Sequence, residues 1–207
     1  MNNLPIDFII KGIIFSVLKD FNIHCFSDRD VELVYELARQ DALAFSEKDP
    51  CARHDMKYIA LCYKSYYAVL VYRISHVLHE LGDVYNAKIL SEHAHIVTGI
   101  EIHPACRIGR RFVIDHGVGT VIGETVTIGD DCYILQSVIL GASGIANNRS
   151  GVRHPQIGNN VEIGGFSSLI GMITVGDNVK ISPRTILKDS VPSNCKVVRV
   201  SSYEFIK

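Results

Sequence analysis

The sequence has almost no net charge, and features that mark several other classes of protein are missing. Its formal net charge is −1 over 207 residues, which gives no electrostatic reason to expect binding to nucleic acid or to an acidic membrane. No uninterrupted apolar run reaches the ~18 residues that a membrane span needs. Asp7 and Lys11 interrupt the apolar N-terminus, and no small-residue cleavage site follows, so no secretory signal is predicted.

Cysteine pairs are missing as well. None of the six cysteines forms a CxxC motif, and Cys106 and Cys132 occupy positions where small buried hydrophobic residues are expected. We therefore expect free thiols and a cytoplasmic location.

What the sequence does contain is an apolar residue at every sixth position over much of its second half. A period of six matches neither the 3.6 of a helix nor the alternation of a simple strand. It is typical of hexapeptide repeats, in which short parallel strands wind around a narrow core. Glycine often follows the repeated residue, which predicts a tight corner where a Cβ atom would hinder the chain. These repeated residues, called rungs below, are Ile102, Ile108, Ile114, Ile122, Ile128, Ile134, Leu140, Ile157, Ile163, Leu169, Val175, Ile181 and Leu187.

The predicted fold class is α+β: a helical domain at 1–97, a β-helix at 98–191 and a C-terminal tail at 192–207. Ser27 followed by Asp30 predicts a helix start. Helical spacing of apolar residues then predicts helices over 31–45, 56–80 and 83–97, with Gly82 ending the second. We expect the helical half to cap the first coil and the tail to cover the last, because the coils of a β-helix pair only with their neighbours.

The rungs are interrupted twice. The step from Ile114 to Ile122 is eight residues, so two residues are inserted near 117–120. The step from Leu140 to Ile157 is seventeen, so the segment 141–156 must loop out of the coil. Local departures inside a regular pattern often mark functional sites, and both of these lie beside a histidine, His116 and His154.

His116 is a candidate general base, because a neutral imidazole can take a proton from a hydroxyl near neutral pH. Spacing alone equally allows an outward-facing histidine without a role. Glu101 lies fifteen residues earlier and could orient the imidazole as the acid of a triad does. Spacing alone favours a solvated glutamate at that position.

Arg153, His154 and Asp49 are candidate acceptor-binding residues. Arg153 could hold a carboxylate through two hydrogen bonds, although a basic surface loop is the commoner reason for such a residue. Asp49 could bind an ammonium group, and its simpler interpretation is a helix-ending aspartate before Pro50.

A metal site is not predicted. His103, His116 and His154 are not related by one regular coil spacing, and His93 and His95 face different sides of a helix.

Six motifs, in this order along the chain, resemble those of the bacterial serine acetyltransferases, which make O-acetylserine for cysteine synthesis. The resemblance covers roughly 49–191, and its most specific parts are the Asp-His-x-x-Gly and Arg-His-Pro motifs. The motifs are Asp49-Pro50, Glu101-Ile102-His103-Pro104-Ala105, Ile114-Asp115-His116-Gly117, Val121-Ile122-Gly123-Glu124-Thr125, Ile134-Leu135-Gln136-Ser137-Val138 and Arg153-His154-Pro155.

The resemblance implies a left-handed β-helix with one extruded loop and direct acetyl transfer from acetyl-CoA to L-serine, without a covalent enzyme intermediate. It makes His116 the general base and Glu101 the residue that orients it. Flat-sided coils that pack around a threefold axis make a homotrimer the expected assembly. The remaining roles implied are binding of the amino acid's charged ends by Asp49, Asp115, Arg153 and His154, and contact with CoA by Ala142, Gly165 and Lys180.

The chain also departs from the family pattern. Glu101 replaces an aspartate, and Gly141-Ala142-Ser143-Gly144 replaces the usual Gly-Gly-Thr-Gly. The helical region is short for a hexamer of two trimers, and an ending in Lys207 rather than isoleucine argues against binding to O-acetylserine sulfhydrylase. These departures keep two alternatives open: acetyl transfer to a different amino acid or amino alcohol, and a non-catalytic β-helix that binds or regulates a partner.

Overall fold

Helices occupy the first half of the chain and short strands the second half, in a computed structural model that describes residues 4–148 and 150–200. Ser27 caps the second helix through a capping box with Asp30, as predicted. Gly99 ends the last helix in the left-handed conformation, with φ of 73°. The helices are α1 (Ile6–Asp20), α2 (Asp28–Lys48), a 3₁₀ turn (Pro50–Ala52), α3 (Met56–Cys62), α4 (Lys64–Glu80) and α5 (Val84–Thr98).

The prediction of one continuous helix over 56–80 is wrong, because Tyr63 separates α3 from α4. Its backbone is extended, with φ of −94° and ψ of 112°. The Tyr63 ring packs edge-on against Phe45 and Tyr58, with centroid distances of 4.9 and 5.7 Å, and its hydroxyl donates to Asp49. Apolar periodicity continues through this break because both helices pack on the same core.

Within the described residues, the second half forms fourteen parallel strands in three sheets. Sheet A contains β1, β4, β7, β10 and β13; sheet B contains β2, β5, β8 and β11; sheet C contains β3, β6, β9, β12 and β14. Each predicted rung lies in one of the first thirteen strands. The strands are β1 (Glu101–Ile102), β2 (Arg107–Ile108), β3 (Val113–Ile114), β4 (Val121–Ile122), β5 (Thr127–Ile128), β6 (Tyr133–Ile134), β7 (Ile139–Gly141), β8 (Gln156–Ile157), β9 (Glu162–Ile163), β10 (Ser168–Ile170), β11 (Thr174–Val175), β12 (Lys180–Ile181), β13 (Ile186–Leu187) and β14 (Lys196–Val197).

Strand pairing continues beyond residue 191, into the segment predicted as a tail. β14 pairs with β12, and Val191 pairs with Val175. The last three residues, 205–207, on which the argument about sulfhydrylase depends, lie outside the described residues. Between β7 and β8, the described residues of 142–155 contain no helix or strand.

Glycine is needed at the corners for space rather than for an unusual backbone angle. A Cβ atom on Gly109 would lie 2.7 Å from the backbone of Gly129 on the next coil. The left-handed conformation falls instead on a non-glycine residue two positions later, such as Arg111, Asp131 and Asn160. The corners therefore stack closely, one coil above another.

The helical half caps the first coil, as predicted, by pairing its free carbonyl groups. Four side chains of α4 and α5 donate these hydrogen bonds, which satisfy acceptors that have no preceding coil to bind. The pairs are Ser91 to Ile102 at 2.7 Å, His76 Nδ1 to Pro104 at 2.7 Å, Tyr72 to Cys106 at 2.8 Å, and Arg73 to Ile108 and Gly109 at 2.6 Å each.

A buried ion pair fixes this junction. Arg73 and Asp41 are 2% and 1% exposed, and Arg73 Nε lies 3.0 Å from Asp41 Oδ2. Asp41 also accepts the backbone N–H of Phe112 at 2.8 Å. Because the carboxylate and the guanidinium pair with each other and Arg73 also donates to two carbonyl groups, the pair joins α2 and α4 to the first coil without an unpaired buried charge.

Candidate active site

Asp115 and His116 lie where the first coil turns from sheet C into sheet A. His116 is in the left-handed conformation with φ of 59°, and the inserted Gly117 and Gly119 also have positive φ. Asp115 Oδ1 accepts the His116 backbone N–H at 2.8 Å, and Asp115 Oδ2 lies 3.7 Å from His116 Nε2. The His116 side chain is 71% exposed. The two-residue insertion therefore presents an imidazole to solvent beside a largely buried carboxylate.

The end of α2 brings Asp49 towards this corner. Lys48 contacts Asp131 on the coil, donating to its carbonyl at 2.8 Å and lying 3.1 Å from its carboxylate. Arg111 joins Asp131 at 2.9 Å to Glu47 at 2.8 Å. Burial pushes the pKa of Asp131 upward, but hydrogen bonds from Lys48 and Arg111 outweigh it, so the pKa is lower than usual. This network anchors the last turn of α2 on the coil.

Asp49 and Asp115 each accept a hydrogen bond from a tyrosine. Tyr63 donates to Asp49 Oδ2 at 2.7 Å, and Tyr133 donates to Asp115 Oδ2 at 2.8 Å. Burial and then the hydrogen bond to Asp115 raise the pKa of Tyr133 far above its usual value, with smaller contributions from Asp49 and Tyr63. Lys48, the residue before Asp49, contacts Asp131, two residues before Tyr133, which places the two pairs on the same side of the coil. Together with His116 they form what we call the His116 corner.

Arg153 and His154 lie at the opposite end of sheet A, where the chain turns towards sheet B. His154 is 7% exposed, and its Nδ1 lies 2.8 Å from the Thr125 hydroxyl and accepts the Thr125 N–H at 3.2 Å. A Cβ atom on Gly123 would lie 2.3 Å from the ring, so only glycine leaves room for it. Arg153 pairs with Glu124. These five residues are called the Arg153 corner.

Burial and a neighbouring cation favour the neutral form of His154 in the Arg153 corner. Burial, and then the charge of Arg153, lower the pKa of His154. The hydrogen bond from Arg153 lowers the pKa of Glu124 against the effect of burial. Burial also lowers the pKa of His103, whose Nδ1 accepts the Ala105 N–H at 3.1 Å.

The two corners do not meet within one chain. Strand β4 separates them, and the four residue steps from Thr120 to Glu124 span about 13 Å at ~3.3 Å per residue. Glu101 lies on sheet A between the two corners, paired in register with Val121. Among the residues that the structure describes, no hydrogen bond or ion pair joins Glu101 to His116.

The three candidate CoA contacts are also spread over the coil. Ala142 follows β7 at the corner between sheets A and B, and Gly165 lies at the corner between sheets C and A. A Cβ atom on Gly165 would lie 3.2 Å from the Gln136 side chain. Lys180 is in β12 and pairs with Glu162 at 2.7 Å. Lys180 lies in register with Glu162, three residues before Gly165, so Lys180 and Gly165 are close, whereas Ala142 lies at the other end of sheet A.

Four residues of the two corners escape the six-residue pattern: Tyr63, Tyr133, Glu124 and Thr125. Coil spacing could have found two of them, Glu124 and Thr125. The step from Asp115 to Tyr133 is 18 residues, but the two-residue insertion lengthens this coil to 20, so Tyr133 lies in register with Val113 and coil spacing does not predict the pair. The Thr125–His154 and Glu124–Arg153 pairs are 29 residues apart, which is one coil plus the eleven-residue insertion. Tyr63 has no such signal, because the docking of the helices determines its position.

Over residues 4–148 and 150–200, no group of three His, Cys, Asp or Glu side chains converges as a metal site. No helix in the same ranges has the length and apolarity to span a membrane. The absence of a metal from the reaction stays a prediction.

Comparison with known proteins gives two kinds of match. A family model described as the GMPPB C-terminal domain matches residues 96–205. The serine acetyltransferase of Helicobacter pylori is 40% identical over 168 residues, covering 81% of this chain and 93% of that protein. The serine acetyltransferase of Synechococcus elongatus is 40% identical over 154 residues, which are 74% of this chain but only 62% of that protein.

A solved structure agrees with the matches to serine acetyltransferases. Serine acetyltransferase isoform 3 from Entamoeba histolytica, crystallised with cysteine, superposes with a TM-score of 0.78 at 33% identity. The match covers 96% of this chain and 72% of that one. The GMPPB model covers the coil region alone, whereas these matches extend into the helical half, so the two findings are compatible.

Proposed function

Because this chain belongs to the serine acetyltransferase family of acyltransferases, we propose that it transfers the acetyl group of acetyl-CoA to the hydroxyl of L-serine. The product, O-acetylserine, would serve cysteine synthesis. The observation that carries the proposal is the charge of the two corners. Carboxylates at the His116 corner suit the ammonium of an amino acid, and Arg153 suits its carboxylate.

His116 is the proposed general base. Its imidazole takes the hydroxyl proton as the serine oxygen attacks the thioester carbonyl. The tetrahedral intermediate collapses with cleavage of the C–S bond, and the CoA thiolate takes the proton from the imidazolium. No covalent enzyme intermediate forms, and the solvent-exposed ring beside Asp115 supports this role.

Asp49 and Asp115 would bind the acceptor's ammonium, and Arg153 its carboxylate. His154 would remain a neutral hydrogen-bonding group, which its burial and the adjacent Arg153 favour. Glu124 already occupies one edge of the Arg153 guanidinium, which fixes its direction and leaves other N–H donors for the acceptor.

We propose that a homotrimer completes the site between neighbouring subunits. The two corners lie on opposite sides of β4 within a chain, at a separation much longer than an amino acid. Cyclic packing of the flat-sided coils would bring the His116 corner of one subunit to the Arg153 corner of the next. The same packing would have to bring Glu101 to His116 and gather Ala142, Gly165 and Lys180 around CoA.

Finer features predicted from the sequence remain part of this proposal: a left-handed coil, implied by the resemblance, one extruded loop at 141–156, catalysis by the region 98–191 and a cytoplasmic location. Six free cysteines support that location. A hexamer and a complex with O-acetylserine sulfhydrylase are not proposed.

Release of CoA, followed with a thiol reagent, tests the function. The purified chain is given acetyl-CoA with L-serine, L-homoserine, L-threonine, ethanolamine or glycerol as acceptor. We expect L-serine to have the highest kcat/KM and ethanolamine to be poor, because ethanolamine lacks the carboxylate. Faster acetylation of ethanolamine or glycerol would refute the amino-acid acceptor, and no release with any acceptor would favour the non-catalytic alternative.

A further inference from the structure

Asp49 and Asp115 are held in the same way, although they come from different halves of the chain. In Asp49, Oδ1 accepts the Cys51 N–H at 2.9 Å and Oδ2 accepts the Tyr63 hydroxyl at 2.7 Å. In Asp115, Oδ1 accepts the His116 N–H at 2.8 Å and Oδ2 accepts the Tyr133 hydroxyl at 2.8 Å. One backbone amide and one phenol thus fix each carboxylate.

Asp49 and Asp115 are held by neutral donors, whereas other carboxylates nearby are held by cations. Asp131 and Glu124 on the coil are held by cations, Lys48 with Arg111 and Arg153 respectively. A cation partner cancels a carboxylate's charge, whereas a phenol stabilises the anion and leaves its charge in place. Among the described residues, no lysine or arginine side chain pairs with Asp49 or Asp115, and the His116 ring lies 3.7 Å from Asp115.

The tyrosines themselves are fixed and neutral. Phe45 and Tyr58 hold the Tyr63 ring by edge-on contacts, and Tyr133 packs against the core of the helical half. The hydrogen bond to Asp49 and burial raise the pKa of Tyr63, and burial and Asp115 raise that of Tyr133. Both phenols therefore stay protonated donors over the pH range in which an amino acid carries its ammonium.

Two neighbouring carboxylates repel each other, and this arrangement reduces that cost without adding positive charge. Each carboxylate oxygen has used one of its two lone-pair sites, so four remain for an incoming donor. An ammonium group has three N–H donors and one positive charge, which suits two anionic acceptors of this kind.

We propose that Tyr63 and Tyr133 are positioning residues that join Asp49 and Asp115 into one binding site for the ammonium group of the acceptor. The inference rests on the proposed function, because it assigns a partner to carboxylates in the acceptor site. It adds that two residues outside the six motifs determine acceptor affinity. It also predicts that they do so without taking part in the proton transfer.

The test uses Tyr63→Phe, Tyr133→Phe and the double variant, with Tyr35→Phe as a matched control. Tyr35 donates to Asp7 at 2.6 Å in the helical half, so its substitution removes a phenol–carboxylate hydrogen bond away from the site. KM for L-serine should rise about tenfold in each single variant, because a hydrogen bond to a charged group is lost. The kcat and the KM for acetyl-CoA should stay at wild-type values, as should every constant of Tyr35→Phe.

The double variant shows whether the two tyrosines act on one ammonium site or independently of each other. Both phenols act on one bound ammonium, so the rise in KM should be less than the product of the single effects. Thermal unfolding of each variant checks folding, and Tyr63→Phe carries the test alone if Tyr133→Phe does not fold. Wild-type serine KM in the folded variants, or a fall in kcat alone, would overturn the inference. An inactive wild-type chain with serine would instead refute the proposed function.

Discussion

The two corners of sheet A differ in how they are built and in how much of each faces solvent. The His116 corner combines the end of α2, the start of α4 and the first two coils, and leaves the imidazole 71% exposed. The Arg153 corner is built by the coils and the inserted segment alone, and its histidine is 7% exposed and locked to Thr125. One corner carries two carboxylates without a lysine or arginine partner beside an exposed imidazole, and the other carries an arginine paired with Glu124 beside a buried imidazole.

This difference indicates a division of labour. A zwitterionic acceptor needs both charges, so neither corner alone can bind it tightly. An exposed imidazole is open to the acceptor hydroxyl, whereas an arginine held by its neighbours fixes the acceptor's position before the reaction starts. The variants below separate these contributions, beginning with the largest expected effect.

His116→Ala should abolish most of the activity. Loss of the general base should lower turnover by roughly 10²–10⁴-fold, with little change in the KM for acetyl-CoA. Steady-state kinetics on the folded variant provide the measurement, and His24→Ala, a solvent-exposed histidine in the helical half, is the control. Turnover near the wild-type value would remove His116 from the reaction.

Arg153→Ala should act on binding rather than on turnover. Loss of a charged hydrogen bond to the acceptor carboxylate should raise the KM for L-serine on the order of 10²-fold. The KM for acetyl-CoA should change little. Arg110→Ala, which removes an exposed arginine at the corner between sheets B and C, is the matched control. Equal effects of the two substitutions would mean that Arg153 contributes only general charge.

Glu101→Gln should have a smaller effect, on turnover. If the carboxylate orients His116 and stabilises its cation, removing its charge should lower turnover by about tenfold. Glu101→Asp should retain activity, because it restores the residue typical of the family. A Glu101→Gln variant with wild-type kinetics would identify this glutamate as a surface carboxylate.

The smallest expected effect is on stability, at His154. Its folded pKa lies below the ordinary value of ~6.5, so the unfolded chain binds the proton more readily. The neutral ring therefore adds to the free energy of unfolding above pH ~6.5, and this contribution is lost as the pH falls from ~6.5 towards the folded pKa. Urea unfolding at pH ~7.5 and ~5.5 provides the measurement. The drop in pH should lower the free energy of unfolding of wild type more than that of His154→Asn, and the two decreases should differ by less than about 1 kcal/mol. An equal decrease in both proteins would contradict a buried neutral ring.

The coil could be predicted from the sequence because each rung occupies a repeated environment. Ile114, Ile134 and Ile163 fill the same position on successive coils, so a period of six is sufficient to find them. The helical half has no such repetition, and the break at Tyr63 depends on contacts with Phe45 and Asp49 that are distant from the local pattern. Coil spacing does not predict the pairing of Tyr133 with Asp115 either, because the insertion at 117–120 puts Tyr133 in register with Val113.

The most direct test of a site shared between subunits uses hybrid trimers. His116→Ala chains and Arg153→Ala chains, each nearly inactive alone with limiting serine, are co-expressed with different tags and purified through both. Every hybrid trimer then has one junction where an intact His116 corner faces an intact Arg153 corner, so activity should return to about one-third of the wild-type value. If both corners instead served a site within one chain, every site would keep one defect, and the hybrids would be no more active than their parents. That result would contradict a site shared between subunits.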